Sequence, residues 1–418
     1  MKPDRPIILY AQSGGVTAVI NASAQAVIEA GRRHGSPVLA ARNGILGVLE
    51  ERLVDTAGLS PSDLALLGRT PGGAFGSCRF DLAWPADNPA LAARLVEVLR
   101  AHAVGVFLYN GGNGSMQSVL QVAEAARLAG YPLRCLGIPK TVDNDLEGTD
   151  CSPGFGSAGR YLATAMAEAG LDVASMASQR GRVFLMEVMG RNCGWLAAAS
   201  ALAAAGPGEP PHLVLFPEVP FDEGAFLAAV EQWVTRLGYC AVTVAEGVRG
   251  QDGRLLAELE RDAAGYVQLG GAGQFIARRI NGRFAYKTHV AVPDYLQRAA
   301  GHWVSGTDWE QARAVGAAAV DLALAGADRV MVALRRLSAE PYEWGVGSVP
   351  LTAVANLERR LPADFIRADG MGVSEVGRRY LAPLVLGDSC RPAPTGVPQH
   401  FRLDLPDLPR RLPPWQTP

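Results

Sequence analysis

The sequence predicts an α/β protein. It reads as two packed Rossmann-like domains with mostly parallel sheets and an active site in the cleft between them. Three observations predict this. Short apolar runs alternate with longer helical patterns, as βαβ units do. The runs are continuous in Val, Ile and Leu, as strands buried on both faces require. The chain has 418 residues, enough for two or three domains with large cores.

The elements follow in order. Ile7 to Ala11 reads as a strand and Thr17 to Arg33 as the helix after it. Val104 to Tyr109 is the next clear strand, followed by a helix from Ser115 to Leu128. Arg134 to Ile138, Val183 to Val188, Leu213 to Phe216, Ala241 to Ala245 and Val330 to Ala333 are further strand candidates. Helical partners run from about Gly156 to Ala177, Asn192 to Ala205 and Glu223 to Leu237. The stretch 390–418 is rich in Pro and Arg and reads as an extended tail.

The hydrophobic fraction is 49% and the formal net charge −2. So small a net charge gives no field to attract nucleic acid or an acidic membrane. An anionic ligand must therefore be held by a local cluster of cations and backbone N–H groups. None of the 6 cysteines forms a CxxC pair, so free buried thiols in a reducing compartment are expected. The N-terminus lacks a signal-peptide pattern, and no run is long and apolar enough for a membrane span. The reading is a cytoplasmic protein.

In open α/β sheets, ligands bind at the carboxyl ends of the strands, and three informative segments fall there. Ser13-Gly14-Gly15-Val16-Thr17 follows the first strand. Its glycines admit a phosphate to the backbone, and the helix behind offers unpaired N–H groups. A tight strand-to-helix turn would use the same pair. Asn110-Gly111-Gly112-Asn113-Gly114-Ser115 repeats the arrangement. Two such loops favour a polyphosphate between them, with Asn113 near a phosphate or hydrated Mg²⁺. The plain alternative is another turn. Lys140-Thr141-Val142-Asp143-Asn144-Asp145 is the most specific. In an extended segment Asp143 and Asp145 point the same way, which suits a general base beside a metal.

Further on, Met189-Gly190-Arg191 ends a strand, and Arg191 can grip a phosphate bidentately. Arg182 at the start of that strand is a second candidate; a surface cation is the ordinary fate of either. Glu246 follows the strand Ala241 to Ala245, where it can accept from a sugar hydroxyl or stand exposed in a loop. Tyr295 to Arg298 offers another cation, with Lys287 and His289 shortly before it.

Taken together, SGG, GGNGS, PKTVDND, EVMGR and YLQR, in this order over roughly residues 7–300, resemble the phosphofructokinase family. The opening AQSGGVTAVINAS and the run Cys151 to Ser157 are most similar to its bacterial pyrophosphate-dependent branch. The resemblance implies phosphoryl transfer to the C1 hydroxyl of fructose 6-phosphate, in glycolysis. Asp143 would be the base, with Thr141 and Val142 beside it at the reacting end of the sugar and Lys140 among the catalytic cations. Met189, Gly190, Arg191, Glu246, Tyr295 and Arg298 would bind the sugar phosphate, with Lys287 near them. Arg182 would reach into a neighbouring subunit, in a homodimer or homotetramer. Gly14, Gly15, Arg79 and Gly111 to Ser115 would cradle the donor phosphates. Asp145, with Asn113, would hold Mg²⁺. The donor domain would span residues 1–153 with part of 296–389, and the sugar-phosphate domain 154–295.

Two residues depart from the family pattern. Many relatives carry Asp at position 113. Pyrophosphate users place Asp at position 114, and ATP users Gly, whereas Lys140 is typical of pyrophosphate users. Lys140 and the branch likeness select pyrophosphate; Gly114 keeps ATP as the alternative. A lipid or NAD kinase and a non-catalytic sugar-phosphate-binding regulator are remoter readings.

Overall fold

The computed structural model describes residues 5–177, 180–261, 267–388 and 396–415. Among them the strands in chain order are β1 (Ile7–Gln12), β2 (Val38–Ala41), β3 (Leu53–Asp55), β4 (Val104–Gly111), β5 (Arg134–Pro139), β6 (Arg182–Val188), β7 (Leu213–Leu215), β8 (Tyr239–Ala245), β9 (Glu258–Arg261), β10 (Val267–Leu269), β11 (Lys287–Ala291), β12 (Val330–Ser338) and β13 (Glu343–Pro350). The chain divides into two units. One comprises Met1–Gly154, Ala299–Glu358 and Asp388–Pro418, the other Phe155–Arg298 and Arg359–Gly387.

The first unit is built on a sheet of order β13-β12-β5-β4-β1-β2-β3. Its middle strands run parallel, and β3 and β13 close the edges antiparallel. Ile8, Leu9 and Tyr10 of β1 are fully buried, as continuous apolar runs with helices on both faces must be. The register matters most. Gln12 pairs with Asn110, and Asn110 with Ile138. The strands β1, β4 and β5 therefore end level, and their loops emerge side by side.

The second unit has a parallel sheet of order β11-β6-β8-β7. Val188 pairs with Ala245, and Arg182 with both Tyr239 and Lys287. The segments after β6 and β8 thus leave from one end. Arg182 and Lys287 sit at the other end, roughly 20 Å away along β6.

Two helices differ from expectation by more than two residues at one or both ends. The first begins at Ile20, not Thr17, because the Thr17 hydroxyl accepts the Val19 amide at 3.3 Å and holds a turn. The stretch expected as Asn192 to Ala205 is a helix at Trp195–Ser200 and a 3₁₀ turn at Ala201–Ala203. Gly247 lies so close to the Arg191 carbonyl that a Cβ would fall 1.9 Å from it. The Gly247 amide donates to Gly190 O at 3.1 Å, and residues 191–193 lie in a loop before the helix.

Cys78, Cys135, Cys151, Cys193 and Cys240 are free thiols; Cys390 lies outside the described residues. Residues 396–415 form neither helix nor strand, but they are anchored on the first unit. Leu408 donates its amide to Leu53 O at 2.7 Å, covering the open edge of β3. The amides of Arg411 and Leu412 donate to the Glu51 carboxylate, which also meets buried His102 at 2.7 Å. No helix among the described residues is long and apolar enough to cross a membrane.

Candidate active site

In the first unit, three loops converge because their strands end level. Gly14 adopts φ +70°, a left-handed conformation that favours glycine. Its N–H donates to Cys78 O at 3.0 Å, and Ser77 Oγ donates to its carbonyl at 2.7 Å. This ties the Gly14-Gly15 turn to the loop that carries exposed Arg79. Lys140 follows β5 and is only 3% exposed. Its Nζ donates to Gly15 O at 2.5 Å, so a buried cation stands at the glycine turn.

Only the second loop leads straight into a helix N-terminus, the arrangement expected of both. Gly112 caps the helix Asn113–Leu128. The N–H groups of Asn113, Gly114 and Ser115 fall in its first turn, where helices lack internal acceptors and attract anions. Ser115 Oγ donates to Ser13 Oγ at 2.9 Å and joins the two loops. At Gly111 a Cβ would fall 2.0 Å from that Oγ, so the join requires glycine. The Gly14-Gly15 turn has no helix terminus behind it, since the helix starts only at Ile20.

The third loop corrects an expectation. Residues 141–145 are not extended: Asn144 has φ +55°, and its Oδ1 accepts the Ser152 amide at 2.9 Å. Asn tolerates this left-handed conformation through such local hydrogen bonds. Asp143 and Asp145 therefore do not share one face of a strand. The Asp143 N–H donates to Thr141 Oγ1 at 3.1 Å. Val142 is buried between them. Asp145 turns to Asn113, whose Nδ2 donates to Asp145 Oδ2 at 2.9 Å. Burial pushes the Asp145 carboxyl above its usual range, and Glu358 adds to this, against the hydrogen bonds from Thr141 and Asn113.

Asn113 Oδ1 and Asp145 Oδ1 are both buried without a hydrogen-bond partner. Two orphaned oxygen acceptors on linked side chains fit a hard divalent cation. Among the described residues no group of three or more His, Cys, Asp or Glu side chains could hold a metal. Such a cation would draw its other ligands from donor phosphates and water.

In the second unit, Met189, Gly190 and Arg191 leave β6 beside Glu246, which leaves β8. Gly190 adopts φ +142°, and a Cβ there would meet Cys193 O at 2.6 Å. Its N–H donates to Glu246 Oε1 at 3.3 Å. Burial raises the Glu246 carboxyl, with Glu187 and Asp294 adding to the shift and the Gly190 amide and Arg191 opposing it. Arg191 is exposed. Tyr295 and Arg298 stand on one turn of the helix Tyr295–Ala299, the guanidinium 4.1 Å from the ring centroid.

Sequence reasoning missed Gln297. It is buried, accepts the Met189 amide at 3.2 Å and donates to Asp294 O at 3.0 Å. It thereby links the Met189–Arg191 segment to the Tyr295–Ala299 helix. The only signal was a polar residue between Leu296 and Arg298. Glu187 was also missed as an anchor: its carboxylate accepts the Gly271 and Gly273 amides at 2.9 and 2.8 Å. Arg182 and Lys287 are not brought to Arg191 and Glu246 within this chain. They lie at the opposite strand ends, because a residue that opens a strand cannot share the level of one that closes it. Arg182 Nε donates to Met176 O at 2.6 Å.

The family profile described as Phosphofructokinase matches residues 7–323. The chain belongs to the phosphofructokinase family. Within that family it is 49% identical over 412 residues to a Xanthomonas campestris protein named pyrophosphate–fructose 6-phosphate 1-phosphotransferase, covering 98% of this chain and 99% of that one. It is 51% identical to a Halomonas elongata protein of the same name, covering 97% of each. The crystal structure of a pyrophosphate-dependent phosphofructokinase from Marinobacter aquaeolei matches with a TM-score of 0.90 at 44% identity, over 99% of this chain and 100% of that one.

Proposed function

We propose that this chain transfers a phosphoryl group from pyrophosphate to the C1 hydroxyl of fructose 6-phosphate. The products are fructose 1,6-bisphosphate and phosphate. The observation that carries the reading is the donor cradle: the glycine loops, the buried Lys140 and the linked Asn113–Asp145 pair occupy three adjacent strand ends. Phosphoryl transfer needs alignment and charge stabilisation more than covalent help.

The family resemblance assigns the roles, and the residue chemistry suits them. Gly14, Gly15 and the N–H groups from Gly111 to Ser115 receive the donor phosphates, with Lys140 and Arg79 supplying positive charge. Asp143 accepts the proton of the C1 hydroxyl as the new P–O bond forms, and Thr141 and Val142 position it. Arg191, Tyr295 and Arg298 hold the sugar phosphate, with Met189 and Gly190 lining the site. Glu246 accepts from a sugar hydroxyl. Asn113 and Asp145 would hold Mg²⁺, which when bound offsets charge on the transferring group. Arg182 and Lys287, remote from Arg191 along their strands, would serve the site of a second copy in a homodimer or homotetramer. The protein would act in the cytoplasm.

One observation favours ATP as an alternative donor. Gly114 is exposed, and nothing lies within 4 Å of a Cβ built there, so no side chain blocks a longer donor. The names of the relatives at about half identity favour pyrophosphate. Initial rates with fructose 6-phosphate and Mg²⁺, giving pyrophosphate or ATP in parallel, decide between them. Turnover with pyrophosphate alone supports the proposal. Turnover with ATP alone replaces the donor, and turnover with neither overturns the reading.

A further inference from the structure

We propose that Asn21 is a positioning residue for the phosphoryl donor, fixing the loop that carries Arg79 against the two glycine loops. This rests on the proposed function, in which these loops hold the donor. Asn21 lies in the first turn of the helix Ile20–Arg33 and is fully buried.

Its amide is engaged at every position. Nδ2 donates to Thr70 O at 2.9 Å and to Gly72 O at 2.7 Å. Oδ1 accepts the Ala74 amide at 3.1 Å and Gln12 Nε2 at 3.1 Å. A neutral side chain with two donors and two acceptor sites is required here. Three of the four bonds go to loop backbone about fifty residues away, where no helix or sheet ladder holds the chain.

The fourth bond leads to the donor site. Gln12 closes β1 immediately before Ser13 and Gly14, and its Nε2 also meets Tyr10 OH at 3.2 Å. Asn110, one residue before Gly111, donates to the same hydroxyl at 2.9 Å. A single buried network therefore joins Asn21 to the roots of both glycine loops. The Thr70–Ala74 stretch continues through Phe75 and Gly76 to Ser77 and Cys78, which bond Gly14, and then to Arg79. Asn21 sets one end of this loop and Gly14 the other. Effective charge stabilisation depends on groups held in place before the reaction.

The test is steady-state kinetics on the full chain with Asn21→Asp and Gly72→Ala, with melting temperature measured alongside. Asn21→Asp keeps the size but turns an oxygen toward two carbonyls. Gly72→Ala disturbs the same loop from outside the core: Gly72 has φ +81° and nothing within 4 Å of a Cβ, so only backbone strain is added. In each variant we expect KM for the donor to rise roughly tenfold or more, with KM for fructose 6-phosphate within about twofold of the parent. A merely stabilising residue would lower the melting temperature without this split. Unchanged donor KM, or both KM values moving together, overturns the proposal. If Asn21→Asp does not fold, the same two outcomes are read from Gly72→Ala alone. The parent enzyme is assayed first with pyrophosphate and with ATP, and the split is read against whichever donor works. A wrong donor then shows in the parent and a wrong Asn21 role only in the variants. A parent that turns over neither donor and binds no pyrophosphate overturns both readings.

Discussion

The residues proposed to hold the donor, in the first unit, and those proposed to hold the acceptor, in the second, are built in opposite ways. On the donor side, Lys140 is buried, three loops are cross-tied by Ser13, Ser115 and Gly15, and two oxygens wait without partners. On the acceptor side, Arg191 is exposed, Tyr295 is 64% exposed, and Arg298 rests on the Tyr295 ring. Only the backbone beneath, held by Gln297 and Glu246, is buried and fixed. In the proposed roles, a compact, highly charged donor meets a rigid, desolvated cradle, where charge acts strongly. A sugar phosphate can be gathered by long solvent-facing cations that order when it binds.

The largest expected effect tests whether chemistry sits with the donor set. Asp143→Ala should lower kcat by about 10²- to 10⁴-fold while fructose 6-phosphate binding, measured by calorimetry, stays within about twofold; a near-normal rate removes Asp143 from the base role. Next, Arg298→Ala should raise KM for fructose 6-phosphate by roughly tenfold or more and leave KM for the donor unchanged. A change in both would show that the two sets are not separable.

A sharper probe of the donor side is Gly114→Asp. The space around position 114 is open, so the melting temperature should hold. Any ATP-supported rate should fall about tenfold or more relative to the pyrophosphate rate, through charge repulsion alone. Equal loss with both donors would show that the position does not discriminate.

The remaining predictions concern pH in the second unit. The raised carboxyl of Glu246 takes up a proton earlier on acidification than an ordinary Glu. KM for fructose 6-phosphate should therefore rise as pH falls through that range, and Glu246→Gln should flatten the profile. Burial also lowers His212 from 6.5 to about 4, against its hydrogen bonds with the Gly208 carbonyl and the Ala241 amide. A histidine kept neutral by folding binds fewer protons folded than unfolded. Its contribution is complete above about 6.5 and is lost as pH falls toward about 4, by up to about 3 kcal/mol. Urea unfolding at pH 7 and pH 5 should show the loss, and His212→Phe should remove the His212 part of it.

Much of this was legible in the residues themselves. The strands at Ile7, Val104, Arg134 and Val183 follow from continuous apolar runs. Glycines after strands pointed to both loops, of which only the second leads straight into a helix, and the Lys-Thr-Val-Asp-Asn-Asp segment pointed to the third. The short strands β2 and β3 were missed, because their apolar runs, Val38–Ala41 and Leu53-Val54, are only four and two residues long. β13 was missed because Gly345, Gly347 and Pro350 dilute its pattern.

The sequence alone carried the α/β class, the order of the main elements and the residue types gathered at the strand ends of the first unit. Local periodicity and turn chemistry carry that information along the chain. Only the tertiary structure decided the rest. Asn144 turns left-handed because Ser152 is there to receive its side chain, so Asp145 goes to Asn113 and not to the side of Asp143. Arg182 and Lys287 part from Arg191 because strand register sets levels that no motif records. Asn21 reaches Thr70, Gly72 and Ala74, and residues 408–412 reach Glu51 and Leu53. These are hydrogen bonds between segments from about fifty to more than three hundred residues apart, and they exist only once both sides are folded.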